Sequence, residues 1–448
     1  MKIGLLDHMG YGNLGDAATQ EALIANIKAR VPGAAIIGFS LNPDDTRKRH
    51  NIPCYSITNW HPGLNKSEQA GTDGSSTRPR PLRSRIKLIL KKIPVFSAVA
   101  WQVLNLAREV MHLGRSFKIL QSLDVLIIAG GGQLCELWRG PWSHPYNVFK
   151  FSALTKLANK QLLFLNVGAG PLNSTLSRAF AKCSVRLADY ISFRDVQSQT
   201  LIEQVGVKRK THVFPDSAYA LDLSDYKING SAKADKPLVG INPIGFCDPR
   251  IWPRQDPCVY SRYLDNLAAF SLWLLSHDYR LKIFSGEASV DLYAIEDLKA
   301  RLLTSLTPAD INMICVPPSA GVKDLLAEMS GMEFVVTSKF HGVIFSHLLA
   351  KPVIALSYHN KIDDLMRIVG HSEHCLNIER FDPTSLTNAF ITLVKDAQEL
   401  KGRFREAVAS NSHQLKAQFD GIFLPVNLQP SSLEVGMERD GSIPDGLA

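Results

Sequence analysis

Two lysines and two histidines stand close together late in the chain, in Lys339-Phe340-His341-Gly342 and Tyr358-His359-Asn360-Lys361. Each group follows an apolar run of strand type, Phe334 to Thr337 and Pro352 to Leu356. Lys339 and Lys361 offer positive charge to an anionic ligand, Ser338 adds a hydroxyl, and His341 and His359 can titrate near neutral pH and move protons. For each histidine the competing reading is a satisfied core or surface residue. Earlier in the chain, Arg194 follows Ser192-Phe193 and offers a planar fork suited to a carboxylate or phosphate. Its competing reading is an ion pair with Asp195 or Asp216. Asp16 and His359 are the candidates for accepting a hydroxyl proton. No metal-ligand spacing is evident, so neither a metal nor a cofactor is expected.

These side chains need loops that let a ligand approach the backbone. The first is Gly10-Tyr11-Gly12-Asn13-Leu14-Gly15-Asp16, between a strand and an amphipathic helix. Its glycines satisfy G-x-G-x-x-G, but Asp16 at the helix start would oppose the phosphate of a dinucleotide. A structural or sugar-facing loop carrying Gly12, Asn13 and Gly15 is the better reading. Ala129-Gly130-Gly131-Gly132-Gln133 and Asn166-Val167-Gly168 are two further permissive loops, each of which could also be a plain strand-to-helix turn.

Ligands bind at the carboxyl ends of the strands in an open parallel sheet, so the strands must bring these loops to one rim. Strands are expected at Lys2–Leu6, Ala35–Phe39, Val125–Ala129, Gln161–Val167, Ile191–Phe193 and His212–Phe214. In the second half they are expected at Leu238–Asn242, Leu281–Ser285, Met313–Val316, Phe334–Thr337 and Pro352–Leu356. Helical stretches separate most of them, which is the rhythm of parallel α/β layers. At 448 residues two cores are natural. The expected division is an N-terminal Rossmann-like domain over 1–222 with a mobile insertion at 65–81 and a linker over 223–236. A C-terminal Rossmann-like domain follows over 237–395, then a helical segment over 396–425 and a disordered tail over 426–448. Ile93 to Leu106 is too short and too interrupted to span a membrane and is expected to be a core helix.

The net charge of +8 favours anionic partners without choosing among small phosphates, nucleic acid or lipid. Seven scattered cysteines with no C-x-x-C pair fit neither a disulfide framework nor a zinc site. Met1-Lys2-Ile3 runs straight into structured pattern with no secretory signal, so a cytoplasmic location is expected. Arg78 to Lys92 is strongly basic, and its alternatives are a solvated helix face or a peripheral contact with the anionic inner face of a membrane.

Taken in order, Gly12-Asn13-Leu14-Gly15-Asp16, Gly130-Gly131-Gly132, Asn166-Val167-Gly168, Ser192-Phe193-Arg194-Asp195, Pro215-Asp216 and Ser338-Lys339-Phe340-His341-Gly342 resemble the polysaccharide pyruvyl transferase family. The resemblance runs over about residues 1 to 395. It implies an α/β, GT-B-like fold of two Rossmann-like domains facing across a cleft. The implied activity moves the enolpyruvyl skeleton of phosphoenolpyruvate onto two hydroxyls of a sugar, which is free or lipid-linked, as a cyclic ketal. Arg194 and Lys339 would bind the donor's carboxylate and phosphate, with His341 as the catalytic histidine. No nucleic acid partner is implied. The family usually has arginine two places before this histidine; lysine keeps the charge and loses the bidentate fork. A glycosyltransferase using a nucleotide sugar and a non-catalytic glycan-binding relative are the alternatives, since one fold hosts all three.

Overall fold

The computed structural model of the chain describes residues 1–7, 12–59, 94–137, 140–226 and 235–424. Gly10, the insertion at 65–81, the basic run 78–92, most of the linker 223–236 and the tail 426–448 lie outside those residues.

Aliphatic and β-branched runs build two separate parallel sheets. The first contains β1 (Lys2–Leu6), β2 (Ala35–Ser40), β3 (Cys54–Ser56), β4 (Val125–Ala129), β5 (Gln161–Val167), β6 (Tyr190–Phe193) and β7 (His212–Val213), in the order β3-β2-β1-β4-β5-β6-β7. Its helices are α1 (Leu14–Arg30), α2 (Pro43–His50), α3 (Pro94–Gln121), α4 (His144–Leu157), α5 (Thr175–Leu187) and α6 (Val196–Gln204). The second sheet contains β8 (Leu238–Asn242), β9 (Arg280–Ile283), β10 (Phe334–Thr337), β11 (Val353–Ser357) and β12 (Cys375–Asn377), in the order β12-β11-β10-β8-β9. With it go α7 (Pro257–Ser276), α8 (Ala288–Leu302), α9 (Pro308–Ile314), α10 (Val322–Ser330), α11 (Phe340–Leu348), α12 (Asn360–Ile368) and the long α13 (Pro383–Phe423).

Both orders are doubly wound, with switch points between β1 and β4 and between β8 and β10, where ligands bind in such sheets. Helices cover both faces, so strand residues of both parities are buried. Along β4, Val125, Ile127 and Ala129 join one apolar cluster while Leu126 and Ile128 join another. α13 begins beside the second sheet and ends against the first. Its Gln418 amide exchanges hydrogen bonds with Asn166 (2.9 and 3.0 Å) and also donates to Ser192. Near its end, Arg30 pairs with Asp420 at 2.6 Å.

Two expectations are corrected. Met313–Val316 is not a strand: Pro308 and the Thr307 capping box start a helix that runs to Ile314, and only Cys315 bridges Ile283. The helix expected in the core around Ile93 to Leu106 is α3, but Val103, Leu104 and Leu106 are exposed, as are Val110 and Met111 further along. None of the described helices is long and apolar enough to cross a membrane.

Candidate active site

A cavity of about 800 Å³ opens between the carboxyl ends of the two sheets, lined from one side by Asn13, Gly15, Asp16, Gly168 and Arg194, and from the other by Asn242, Glu287, Lys339, His341, His359 and Lys361. The halves touch directly at its edge, where Leu14 N–H donates to the Gly286 carbonyl at 2.9 Å.

His341 lies in the first turn of α11. Its Nε2 faces across to the first half, 3.7 Å from Asp216 Oδ2 and 3.5 Å from Thr19 Oγ1. The approach depends on two glycines. A Cβ on Gly15 would stand 2.2 Å from His341 Nδ1, and one on Gly342 would stand 2.3 Å from Thr337 Oγ1. Asn13 caps α1 by accepting from the Gly15 and Asp16 amides, which fixes the loop. Thr19 donates to the Gly15 carbonyl (3.2 Å) and to Asp216 (3.3 Å), tying the helix to the buried carboxylate.

Asp216 is the hub. Arg194 Nη1 donates to its Oδ2 at 3.1 Å, and both side chains are nearly inaccessible, at 6% and 2% exposure. Burial alone would raise the Asp216 carboxyl, but the His341 contact, the Arg194 charge and the Ala218 amide outweigh it and hold the group well below the usual carboxylate range. The guanidinium also lies over the Phe340 ring at 4.5 Å. Its Nε is buried without a hydrogen-bond partner, 3.6 Å from Asp195 Oδ2. Gly168 makes room for it, since a Cβ there would meet Nε at 2.8 Å.

Lys339, Lys361, His359 and Ser338 meet different surroundings. Lys339 is held by Glu287 Oε2 and Asp291 Oδ1, each at 2.8 Å. Burial opposes its charge, but the two carboxylates more than compensate and push the ammonium upward, while burial raises Asp291. Lys361 lies over the Phe340 and Tyr358 rings, at 5.7 and 6.0 Å. His359 caps α12, its Nδ1 accepting from the Lys361 amide at 3.2 Å. Burial, with help from the Lys361 and Arg194 charges, lowers it to about 4, so it is neutral at pH 7. Ser338 is buried with its hydroxyl 3.2 Å from Tyr263 OH, away from the cavity lining.

Among the loop residues, Gly12 and Gly131 take left-handed backbone, at φ +81° and +59°. The Gly131 carbonyl accepts from Gly168 N–H at 2.7 Å and joins two rim loops, while Gly132 lines the cavity. Gln133 turns inward, donating to the Ala129 carbonyl and meeting His144 Nε2 at 2.6 Å. Sequence reasoning missed Thr19, Glu287 and Asp291, and treated Asp216 only as a partner for Arg194. For Asp216, its place just past a strand in Pro215-Asp216 was the available signal.

Two facing Rossmann-like halves with the site between them define the GT-B class. Solved structures agree at the level of fold. The UDP-GlcNAc 2-epimerase of Methanocaldococcus jannaschii is similar at TM-score 0.53 and 11% identity over 87% of this chain and 92% of that one. MnaA of S. aureus with UDP is similar at TM-score 0.55 and 11% identity, over 96% and 97%. The UDP-GlcNAc 2-epimerase of Neisseria meningitidis bound to UDP-GlcNAc is similar at 0.52 and 8%, over 90% and 94%. The sequence profile of the polysaccharide pyruvyl transferase family matches residues 13–360, most of the chain, and this protein belongs to that family. Membership makes it a transferase with a sugar acceptor.

Proposed function

We propose that this protein transfers the pyruvate skeleton of phosphoenolpyruvate to two hydroxyls of a sugar in a polysaccharide or its precursor, forming a cyclic ketal and releasing phosphate. The observation that carries the reading is the His341–Asp216–Arg194 group at a cavity shared by both halves. A histidinium at His341, with the Asp216 carboxylate to stabilise it, gives a proton to the methylene carbon of the enol. The carbon bearing the phosphate then takes the first hydroxyl oxygen, and the second hydroxyl oxygen replaces the phosphate. Of the two hydroxyl protons, one restores His341 and the other leaves with the phosphate. Asp16 at the cavity wall is the carboxylate that can relay the second hydroxyl proton to the phosphate, whereas His359, whose Nδ1 accepts the Lys361 amide, carries its proton on Nε2 and is a donor to the ligand instead.

For the donor's anionic groups the main supporting feature is the ammonium of Lys361 at the cavity wall, with the Arg194 guanidinium beside it sharing its charge with Asp216 and Asp195. Lys339 serves differently from the expectation. Its charge is already matched by Glu287 and Asp291, so it holds the β9 loop against α11 and contributes little net charge to a ligand. Asn13, Gly15, Gly132 and Gly168 shape the acceptor side. We keep 1–222 and 237–395 as the two proposed units.

A lipid-linked acceptor and a peripheral contact with the inner face of a membrane through 78–92 complete the reading. They are supported by the exposed apolar stripe Val103, Leu106, Val110 and Met111 on α3, which Arg108, Arg115 and Lys118 flank. Thermal melts test the donor: phosphoenolpyruvate at 100 times its Kd should stabilise the fold by about 2.7 kcal/mol. Stabilisation by a nucleotide sugar and not by phosphoenolpyruvate would favour a glycosyltransferase instead.

A further inference from the structure

Away from the cavity, the segment His371–His374 before β12 carries two histidines that the chemistry above does not use. His371 and His374 are both fully buried, with ring centroids 4.5 Å apart. Buried ring nitrogens are ordinarily hydrogen-bonded. Here His371 Nδ1 has no hydrogen-bond partner, and His374 has only loose approaches, to the Ala389 backbone and the Asp396 carboxylate. Their neighbours are carboxylates at longer range: Glu373 Oε1 stands 4.0 Å from His371 Nδ1 and 4.0 Å from His374 Nε2, and Asp396 Oδ2 on α13 stands 3.6 Å from His374 Nε2.

The tautomer of His371 is fixed. Its Nε2 lies 2.8 Å from the Val353 carbonyl, which can only accept, so Nε2 carries the proton and Nδ1 presents a lone pair. A backbone carbonyl behind one imidazole nitrogen is the arrangement that orients a metal-ligating histidine. One ligand atom each from His371, Glu373 and His374 lie within 4.8 Å of one another. A tetrahedral ion with ligands near 2.1 Å needs separations of roughly 3.4 Å, so the present spacings close by well under an ångström from each side.

We infer that His371, Glu373 and His374 form a structural site for a divalent transition-metal ion of the zinc type, with Asp396 placed to supply the fourth ligand from α13. Imidazole nitrogen with carboxylate oxygen suits such an ion better than calcium or magnesium. The ion takes the lone pair of His371 Nδ1 and of one His374 nitrogen, and ties the root of β12 to the long helix that crosses to the first sheet. In the sequence this cluster shows only one short H-x-x-H spacing, with its fourth group on a distant helix, so no metal is expected from spacing alone.

The test uses untagged, full-length protein dialysed against metal-free buffer. About one zinc per chain is expected, with visible absorption on cobalt replacement and a lower melting temperature after chelation that added zinc restores. His374→Gln should lose the metal. Glu373→Gln, at a half-exposed position where the fold is kept, should weaken binding by at least the roughly 10- to 100-fold that losing a ligand-orienting partner costs. Absence of bound metal together with no rise in melting temperature on adding zinc would overturn the inference. So would a full equivalent of metal that both variants retain.

Discussion

Gly15 offers a sharp steric test of the approach between the two halves. It lies in the first turn of α1, where alanine is the better helix former by about 1 kcal/mol, so judged on helix propensity Gly15→Ala should stabilise the fold. The structure predicts otherwise. An added Cβ would stand 2.2, 2.3 and 2.5 Å from Nδ1, Cγ and Cβ of His341, so the imidazole has to leave its place. The ring is bounded by Phe340 and Phe345, at centroid distances of 5.4 and 6.3 Å, and its retreat carries Nε2 away from Asp216 and Thr19. Overpacking of this kind costs about 1–3 kcal/mol, which the propensity gain partly offsets, leaving a net destabilisation of roughly 0–2 kcal/mol. A displacement of about 1 Å at a reacting group costs on the order of 10²-fold in rate. Thermal melts and phosphate release at saturating donor and acceptor should therefore diverge, with a small change in melting temperature and a large loss of turnover. Turnover at the wild-type rate would refute the placement of His341 against α1.

Three further outcomes follow from the same geometry. Lys339→Ala leaves Glu287 and the buried Asp291 facing each other, so it should destabilise the fold by about 3–5 kcal/mol in denaturant titrations, whereas an unchanged midpoint with only a raised donor KM would contradict the pairing. Burial, foremost, lowers His347 to about 3, and His50 and His359 to about 4, so these rings stay neutral in the fold while the unfolded chain takes up protons below its ordinary histidine pKa of about 6.5. Melting temperature should fall as pH drops from about 6.5 towards 4; a rise over that interval would contradict the sign, and Asp216, held low, keeps its contribution throughout. Wild-type protein should sediment with vesicles containing anionic lipid and a Leu106→Glu, Val110→Glu variant should not, with turnover of a soluble acceptor unchanged; equal sedimentation of both would remove α3 from the contact.

Much of the architecture was readable because long aliphatic runs admit one interpretation. β1, β4, β5, β8 and β10 have the bounds expected from their residues. β3 and β12 escaped notice because each is a three-residue edge strand, Cys54–Ser56 and Cys375–Asn377, with too few residues to show a period. Met313–Val316 looked like a strand on apolar content, but the Thr307 and Pro308 start signal decides such a short run. At the site, strand-end position brought Arg194, His341, His359 and Lys361 to one cavity. Sequence could not say that Lys339 is neutralised or that Ser338 and Gln133 turn inward, because their partners Glu287, Asp291, Tyr263 and His144 come from other loops and helices. Nor could it show Asp216 as the shared anion of Arg194 and His341, a relation made only when the two halves meet.

The central claim is that His341, facing Asp216 across the cleft, protonates the donor. Its most direct test is to incubate wild-type protein and His341→Gln with phosphoenolpyruvate and a panel of candidate glycans, following both phosphate and the mass of the glycan. Wild-type protein should release one phosphate for each glycan that gains a pyruvate less one water. His341→Gln should remain folded and lose turnover by about 10²- to 10⁴-fold. Ketal formation by His341→Gln at close to the wild-type rate would contradict the account.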